Sequence, residues 1–219
     1  MTTLQIADNL FPQLHLQDSV EKALQLMNDL KATHLPVVAD DKFLGLISEE
    51  DLADEKGNIT LEFFQSGLVL AAVNVNNHFL KAAAIFDLYH TNVVAVINEN
   101  YELMGTISAA AMVSATAVFC GSSEYGALVV LEIERTKFAI SEINSIVESD
   151  GATILHLNVA PHPNPLLLEV TVQINKKEIS AILATFERYE YSVSYYSGEE
   201  MFENEISSNY DNLMSYLKV

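Results

Sequence analysis

Hydrophobic and polar positions follow the same pattern twice in the first half of the chain. Residues 33–52 read THLPVVADDKFLGLISEEDL, and in this stretch apolar runs at 35–38 and 43–47 flank an acidic turn. Short apolar runs bounded by turn residues predict two buried strands. Residues 91–112 read TNVVAVINENYELMGTISAAAM and predict a second pair of strands. The pattern therefore indicates an internal repeat.

A predicted helix precedes each pair of strands. Residues 19–33 align with residues 78–92 at an offset of 59. Asp18 is expected to cap the first of these helices, and Glu21 completes a capping box. Apolar residues at three- and four-residue spacing predict one apolar face on each helix, namely Val20, Ala23, Leu24, Met27 and Leu30 in the first copy and Leu80, Ala83 and Ala84 in the second.

A second helix is predicted to follow each strand pair. Ser48 is the expected cap of a helix that starts near Glu49, where acidic residues favour the first turn. The residues GLIS at 45–48 align with GTIS at 105–108. Each copy then has the order helix, strand, strand, helix. A repeat of about 60 residues is too long for a solenoid unit and suits a pseudo-symmetric pair.

The second half of the chain has a different pattern of hydrophobic and polar positions. Its pattern predicts strands at 126–134, 152–159, 166–174 and 191–196, and helices from about 138 to 147 and from 177 to 189. A proline-rich loop at 160–165 separates the two middle strands. The order βαββαβ is the split ferredoxin-like pattern. In the tail, a stripe of apolar residues predicts an amphipathic helix that packs on the protein itself or on a sister subunit, formed by Tyr210, Leu213, Met214 and Leu217.

Composition narrows the classes of partner and compartment. The chain has 30 acidic residues against 11 Lys and Arg, a formal net charge of −19. Such a surface repels phosphate backbones, which disfavours nucleic acid and anionic membranes as partners. The one cysteine, Cys120, excludes an internal disulfide and a thiolate zinc cluster, and we expect it to be a buried small hydrophobe. With no signal peptide and no membrane-length apolar run, we expect a soluble cytoplasmic protein.

The residues HLPVVADDKFLGLISEEDL resemble the core of a cystathionine-β-synthase (CBS) domain. The marks of that family here are the Pro36 strand, Gly45 in the second strand, and hydrophobic residues leading to Ser48 and Asp51. Two such units resemble the paired CBS module. The second half looks like an ACT domain, although its turn at 135–138 lacks the glycine that often meets an amino-acid effector. The complete order resembles that of acetoin-utilisation-type regulatory proteins.

The expected architecture is therefore α/β (α+β), with a tandem CBS pair followed by an ACT-like domain. We place the CBS module at 1–118, with repeat one at about 1–62 and repeat two at about 63–118. The ACT-like domain is expected at 124–197 and the tail at 198–219. By resemblance, CBS pairs associate face to face and ACT domains pair their sheets, which implies a homodimer.

The resemblance also implies a ligand site. In the CBS family the residues matching Ser48 and Asp51 contact the phosphate and ribose of adenosyl ligands. His34 and Pro36 lie where the family places ligand contacts, and Ser108 is the counterpart of Ser48 in repeat two. From the residues alone, Asp51 can accept two hydrogen bonds from a vicinal diol, whereas helix capping by Ser48 and solvation of Asp51 form the structural alternative.

Three features of the sequence disfavour a phosphate-rich ligand. Repeat two has Ala111 where Asp51 aligns, Glu49 and Glu50 would repel a phosphate, and cationic residues nearby are scarce. Adenosine, AMP or S-adenosylmethionine is the expected class of ligand for a sensor protein. The alternative is a ligand-free dimeric scaffold for an unidentified protein partner. The sequence offers no metal site, no certain cofactor and no catalytic constellation, so we expect a protein that is not an enzyme.

Overall fold

The chain divides into two units, Met1–Ala117 and Val118–Val219, in a computed structural model. The structure describes residues 1–53, 55, 59–122 and 124–198. Both units mix helices with sheets. The first unit contains two three-stranded sheets, and the second contains one four-stranded sheet.

Repeat one forms a three-stranded sheet with one long helix. After a short helix α1 (Thr3–Ile6) come β1 (Leu14–His15), α2 (Val20–Leu30), β2 (His34–Ala39), β3 (Lys42–Ser48) and α3 (Glu49–Leu52). Strand β1 pairs parallel to β2, and β2 pairs antiparallel to β3. The hairpin turn Asp40-Asp41 has φ values of 48° and 62°. Two positive φ values give the tight connection that matches strand twist, and Asp tolerates them.

Repeat two follows the same path. Its elements are a 3-10 helix (Leu61–Gly67), β4 (Ala72–Asn74), α4 (Leu80–Tyr89), β5 (Val93–Ile97), β6 (Leu103–Ser108) and α5 (Ala109–Phe119). Strand β4 pairs parallel to β5, and β5 pairs antiparallel to β6. Both repeats thus contain the helix, strand, strand, helix order, and each has an additional short parallel strand that the apolar pattern did not predict.

The segment that precedes each repeat pairs with the last strand of the other repeat. Asp8 and Thr106 exchange two backbone hydrogen bonds of 2.7 Å, and Leu46 and Val69 exchange two of 2.8 and 2.9 Å. The crossing chains lie so close that a Cβ on Gly45 would be 2.7 Å from the Cβ of Leu68. The shared glycine of the two repeats therefore makes room for this reciprocal pairing, which ties the repeats together.

Both repeats bury a hydrophobic core between sheet and helix. In repeat one, Val20, Ala23 and Met27 of α2 are buried, while Leu24 and Leu30 pack at its edge. Burying a large apolar side chain contributes about 1.5–3 kcal/mol. The core of repeat two includes Phe79, Ala82 and Ile107. The amphipathic pattern that predicted α2 thus corresponds to a buried face.

The cap of α2 lies one residue later than predicted. Ser19 is the N-cap, and its Oγ accepts a hydrogen bond from the Lys22 amide at 3.2 Å. Asp18 instead accepts from the His15 amide at 2.9 Å and binds the Lys22 ammonium at 2.7 Å. Burial raises the pKa of Asp18, but the hydrogen bonds from Lys22 and His15 outweigh it and leave that pKa below its ordinary 3.8. The capping box predicted from Asp18 and Glu21 is therefore wrong, because Asp18 stabilises the preceding turn.

The second unit has the element order strand, helix, strand, strand, helix, strand. These elements are β7 (Ala127–Glu134), α6 (Ile140–Ser149), β8 (Ile154–Pro161), β9 (Leu167–Ile174), α7 (Ser180–Arg188) and β10 (Ser192–Ser197). The sheet order is β10-β7-β9-β8, and every neighbouring pair is antiparallel. Alternate residues of β7 are buried against both helices, in a core that includes Val129, Leu131, Ile143, Ile182 and Phe186.

Several boundaries in the second unit differ from the prediction. Helix α7 begins at Ser180 and not at residue 177. Strand β8 extends to Pro161, into the predicted loop, which the sheet tolerates because β8 is an edge strand. Cys120 is half-buried and not fully buried. The apolar stripe predicted for the tail lies outside the described residues.

Candidate functional site

One end of the β2–β3 hairpin brings together three of the predicted site residues. His34 and Ser48 are paired in register at the ends of their strands, and Asp51 lies in α3, which follows at once. The Ser48 Oγ accepts a hydrogen bond from the Asp51 amide at 3.0 Å and donates one to Asp51 Oδ2 at 2.5 Å. Ser48 therefore caps α3, as its sequence position predicted, and it also orients the Asp51 carboxylate.

The His34 imidazole lies half-buried next to this carboxylate. Its Nδ1 is 2.9 Å from the Thr33 Oγ1. Burial lowers the pKa of His34 below its ordinary value of 6.5, and the negative charge of Asp51 opposes that shift. The net direction is downward, which favours the neutral form of the imidazole.

A small groove adjoins Asp51. It has a volume of about 180 Å³ and is lined by Ile47, Asp51, Phe63, Phe64, Ser66 and Gly67. Phe63 is 73% exposed and meets Phe64 edge to face, with ring centroids 5.4 Å apart. A carboxylate beside exposed aromatic surface can accept hydrogen bonds from a polar group while a flat ring packs on the aromatic side chain. The sequence analysis did not predict this contribution of the 3-10 helix.

Pro36 is buried two residues farther along β2, opposite Leu46. Strand alternation places it on the same side of β2 as His34. It therefore lies deeper in the sheet than the three polar residues of the hairpin end.

Ser108 occupies the corresponding position in repeat two, with a simpler environment. It pairs with Val93, and its Oγ accepts a hydrogen bond from the Ala111 amide at 3.0 Å. Ser108 is only 7% exposed. The counterparts of His34 and Asp51 are Val93 and Ala111, so this end keeps the cap without the imidazole or the carboxylate.

The two hairpin ends meet at a pair of polar residues that the sequence analysis did not single out. The Thr33 amide and hydroxyl both donate to Asn92 Oδ1, at 3.1 and 3.0 Å, and the Asn92 Nδ2 donates to the Lys31 carbonyl at 3.0 Å. Thr33 and Asn92 occupy equivalent positions in the two repeats. The sequence did offer one signal for this contact. A polar residue stands directly before β2 and another directly before β5, and the two are 59 positions apart.

The second unit has a larger cavity of its own, of about 430 Å³. Lys137 lies 3.4 Å from Glu134 and 3.8 Å from Glu190 along its wall. The Tyr191 hydroxyl donates a hydrogen bond to Glu142. Burial and this acidic partner raise the pKa of Tyr191. Lys137, which lines this cavity, belongs to the turn that lacks a glycine. Most of the charged side chains that line the cavity are paired with one another.

Two further searches cover only the described part of the chain. No group of three or more His, Cys, Asp or Glu side chains there is arranged to hold a metal ion. Within the same residues, no helix has the length and apolar character needed to cross a membrane.

Comparison with known families gives a match to a segment within the first repeat. Residues 11–57 match the CBS domain family. That segment includes His34, Pro36, Ser48 and Asp51. Comparison with curated proteins found no match.

Solved structures similar to part of this chain include several CBS domain proteins. A CBS domain pair/ACT domain protein from Thermotoga maritima has a TM-score of 0.50 and 19% identity, over 54% of this chain and 98% of the other. The CBS domains of a transcriptional regulator from Streptococcus pneumoniae give 0.46 and 16%, over 52% and 98%. CBSX2 in complex with AMP gives 0.45 and 19%, over 54% and 97%. The Thermotoga maritima match establishes the fold of a CBS domain pair in this mixed α/β chain.

Proposed function

We propose that the chain is a regulatory, non-catalytic sensor whose CBS pair binds an adenosyl-type small molecule at the His34–Ser48–Asp51 end. The observation that carries the proposal is the Asp51 carboxylate, oriented by Ser48 and placed beside a groove with exposed aromatic surface. One carboxylate has about four acceptor positions, so its bond to Ser48 leaves capacity for both hydroxyls of a ribose.

Electrostatics favour ligands with few negative charges. Glu49 and Glu50 flank the site, both exposed, and the chain as a whole is strongly acidic. A phosphate would be repelled by these charges, whereas neutral adenosine or cationic S-adenosylmethionine would not. The proposed ligand class is therefore adenosine, S-adenosylmethionine or AMP, and AMP brings one phosphate where ATP brings three.

Thermal unfolding of the full chain tests the proposal. Adenosine, AMP, ATP and S-adenosylmethionine are added separately, and a ligand at a hundred times its Kd stabilises a protein by about 2.7 kcal/mol. We expect a rise in Tm on the order of 5 °C with at least one of them. The rise should disappear in Asp51→Asn and persist in Asp29→Asn, which changes an exposed acid of α2. A rise that is unchanged by Asp51→Asn, or no rise with any ligand, would reject the proposal.

A ligand-free scaffold is the second candidate function. It is supported by the way in which Ser48 and Asp51 satisfy each other and by the loss of the acid at Ala111. Under this alternative, Asp51 serves only the cap of α3. Asp51→Asn would then lower the Tm of the protein without ligand, and no adenosyl compound would change the Tm of either variant.

We propose further that the second unit is an ACT-like, ferredoxin-type domain and that the protein is a cytoplasmic homodimer. The βαββαβ order with sheet order β10-β7-β9-β8 supports the first statement. Exposed apolar side chains on α4 and α5, Leu88 at 66% and Val113 at 70%, support association. Sedimentation equilibrium should give twice the chain mass, and a monomer mass would contradict the dimer.

A further inference from the structure

The hydrogen bonds around Thr33 determine which nitrogen of His34 carries the proton. Thr33 has one hydroxyl hydrogen and two neighbours, Asn92 Oδ1 at 3.0 Å and His34 Nδ1 at 2.9 Å. An amide oxygen can only accept, so the hydroxyl hydrogen goes to Asn92. The Thr33 oxygen is then the acceptor toward His34, and both contacts are satisfied only if Nδ1 carries a hydrogen.

The orientation of the Asn92 amide supports this assignment. Its Nδ2 donates to the Lys31 carbonyl, and its Oδ1 receives both the amide and the hydroxyl of Thr33. If the oxygen and nitrogen of the Asn92 amide were exchanged, its NH₂ group would face the Thr33 N–H, which is also a donor. Its oxygen would then face the Lys31 carbonyl, which is also an acceptor. Asn92 of repeat two is therefore oriented by the backbone of repeat one.

A neutral imidazole with its proton on Nδ1 has an unprotonated Nε2, which is a hydrogen-bond acceptor. In the described residues, no protein donor bonds to that Nε2. The Ser48 hydroxyl hydrogen is already directed to Asp51. At the hairpin end, Nε2 of His34 and the carboxylate of Asp51 are thus both acceptors, and a ligand must bring donors to these two groups.

We propose that Asn92, acting through Thr33, is a positioning residue that holds His34 as an acceptor, so that the site selects a nucleoside-like ligand rich in N–H and O–H donors and without phosphate. This inference rests on the proposed function for its ligand class. The assignment of the His34 proton stands on the protein alone. Repeat two thereby contributes to the ligand site of repeat one although its own end lacks the acid and the imidazole.

Nuclear magnetic resonance tests the proton assignment without any ligand. Two-bond proton–nitrogen correlation spectra of the isotope-labelled full chain distinguish the two neutral tautomers, and His34→Gln identifies the His34 signals among the six histidines. We expect the Nδ1–H form in the wild type and a shift toward the Nε2–H form in Thr33→Val and in Asn92→Ala. Thr136→Val, in an exposed turn of the second unit, is the control. A wild-type Nε2–H form, or a tautomer unchanged in both variants, would overturn the inference.

Ligand titration tests the selectivity. Adenosine should bind about tenfold more tightly than AMP, because the added phosphate meets acceptors and carboxylates. Thr33→Val should weaken adenosine binding about fivefold and leave the melting curve of the free protein cooperative. AMP binding more tightly than adenosine would reject this inference while leaving the proposed function in place. Failure of every adenosyl compound to bind would reject the proposed function and its ligand class together, whatever tautomer His34 has.

Discussion

At the scale of single residues, the two repeats differ at the two titratable side chains of the candidate site. His34 has Val93 as its counterpart, and Asp51 has Ala111, while the capping serines are retained in both. A capped helix start therefore needs neither the imidazole nor the acid. The pair His34 and Asp51 is the part of repeat one that folding alone does not explain.

The depressed pKa of His34 makes a prediction about stability and pH. The folded protein binds a proton at His34 less readily than the unfolded chain does. The contribution of neutral His34 to the free energy of unfolding is therefore fully present above pH 6.5, and it is lost as the pH falls through the lower pKa of the folded state. Asp51 is the charged group that opposes the shift. We expect the urea midpoint of the wild type to fall from pH 7.5 to pH 5, and His34→Gln to reduce that fall.

The other titrating residues are present in both proteins, so the difference between the two curves isolates His34. Asp18, whose pKa lies below 3.8, contributes only at lower pH. Identical curves for wild type and His34→Gln would show that the imidazole is not desolvated in the folded state.

At the scale of elements, the last strand of each repeat is fixed by a neighbouring chain segment. Gly45 lies against Leu68, and Gly105 lies 3.0 Å, measured from an ideal Cβ, from the Asp8 carbonyl. No side chain fits at Gly45 without moving β3 away from residues 68–70. The backbone bonds between Leu46 and Val69 depend on that approach.

Gly45→Ala should therefore destabilise the first unit. We expect a loss of about 1–3 kcal/mol in the free energy of unfolding, typical of overpacking at a closely packed position. Gly67→Ala is the matched control, because a Cβ there meets nothing within 4 Å. Chemical denaturation of the three proteins measures both effects. Equal stability of Gly45→Ala and Gly67→Ala would contradict the reciprocal pairing of the repeats.

The sequence predicted those elements whose buried residues form a recognisable apolar pattern within a few neighbouring positions. Strands β2, β3, β5 and β6 appeared as apolar runs because most of their residues are buried. The elements that were missed, α1, β1, β4 and the 3-10 helix, depend on distant partners, such as the pairing of Leu14 with Val37 and of Ala72 with Ala95. The cap of α2 was predicted wrongly for a similar reason. Asp18 and Ser19 are both favourable capping residues, and the hydrogen bond from the His15 amide holds Asp18 in the preceding turn, so that Ser19 is the cap.

The site was predictable to a similar degree. Ser48 and Asp51 follow from capping and from a resemblance that covers one repeat. The contact between Thr33 and Asn92 joins residues 59 positions apart and forms only when the two repeats pack together. Phe63 belongs to a segment whose amphipathic pattern is too short to predict a 3-10 helix.

At the scale of the whole molecule, we propose that one of the two equivalent ends binds a ligand. Repeat one offers a carboxylate, an acceptor imidazole and a groove, and repeat two offers a buried serine cap. The asymmetry predicts one ligand for each chain. Under the proposed function, a ligand at one end would signal by shifting the Thr33–Asn92 contact that joins the repeats.

Isothermal titration of the full chain with adenosine tests this claim most directly, because it reports affinity and stoichiometry together. We expect saturable binding of one adenosine per chain, lost in Asp51→Asn and retained in Asp29→Asn. Absence of binding, two sites per chain, or binding that Asp51→Asn leaves unchanged would contradict it.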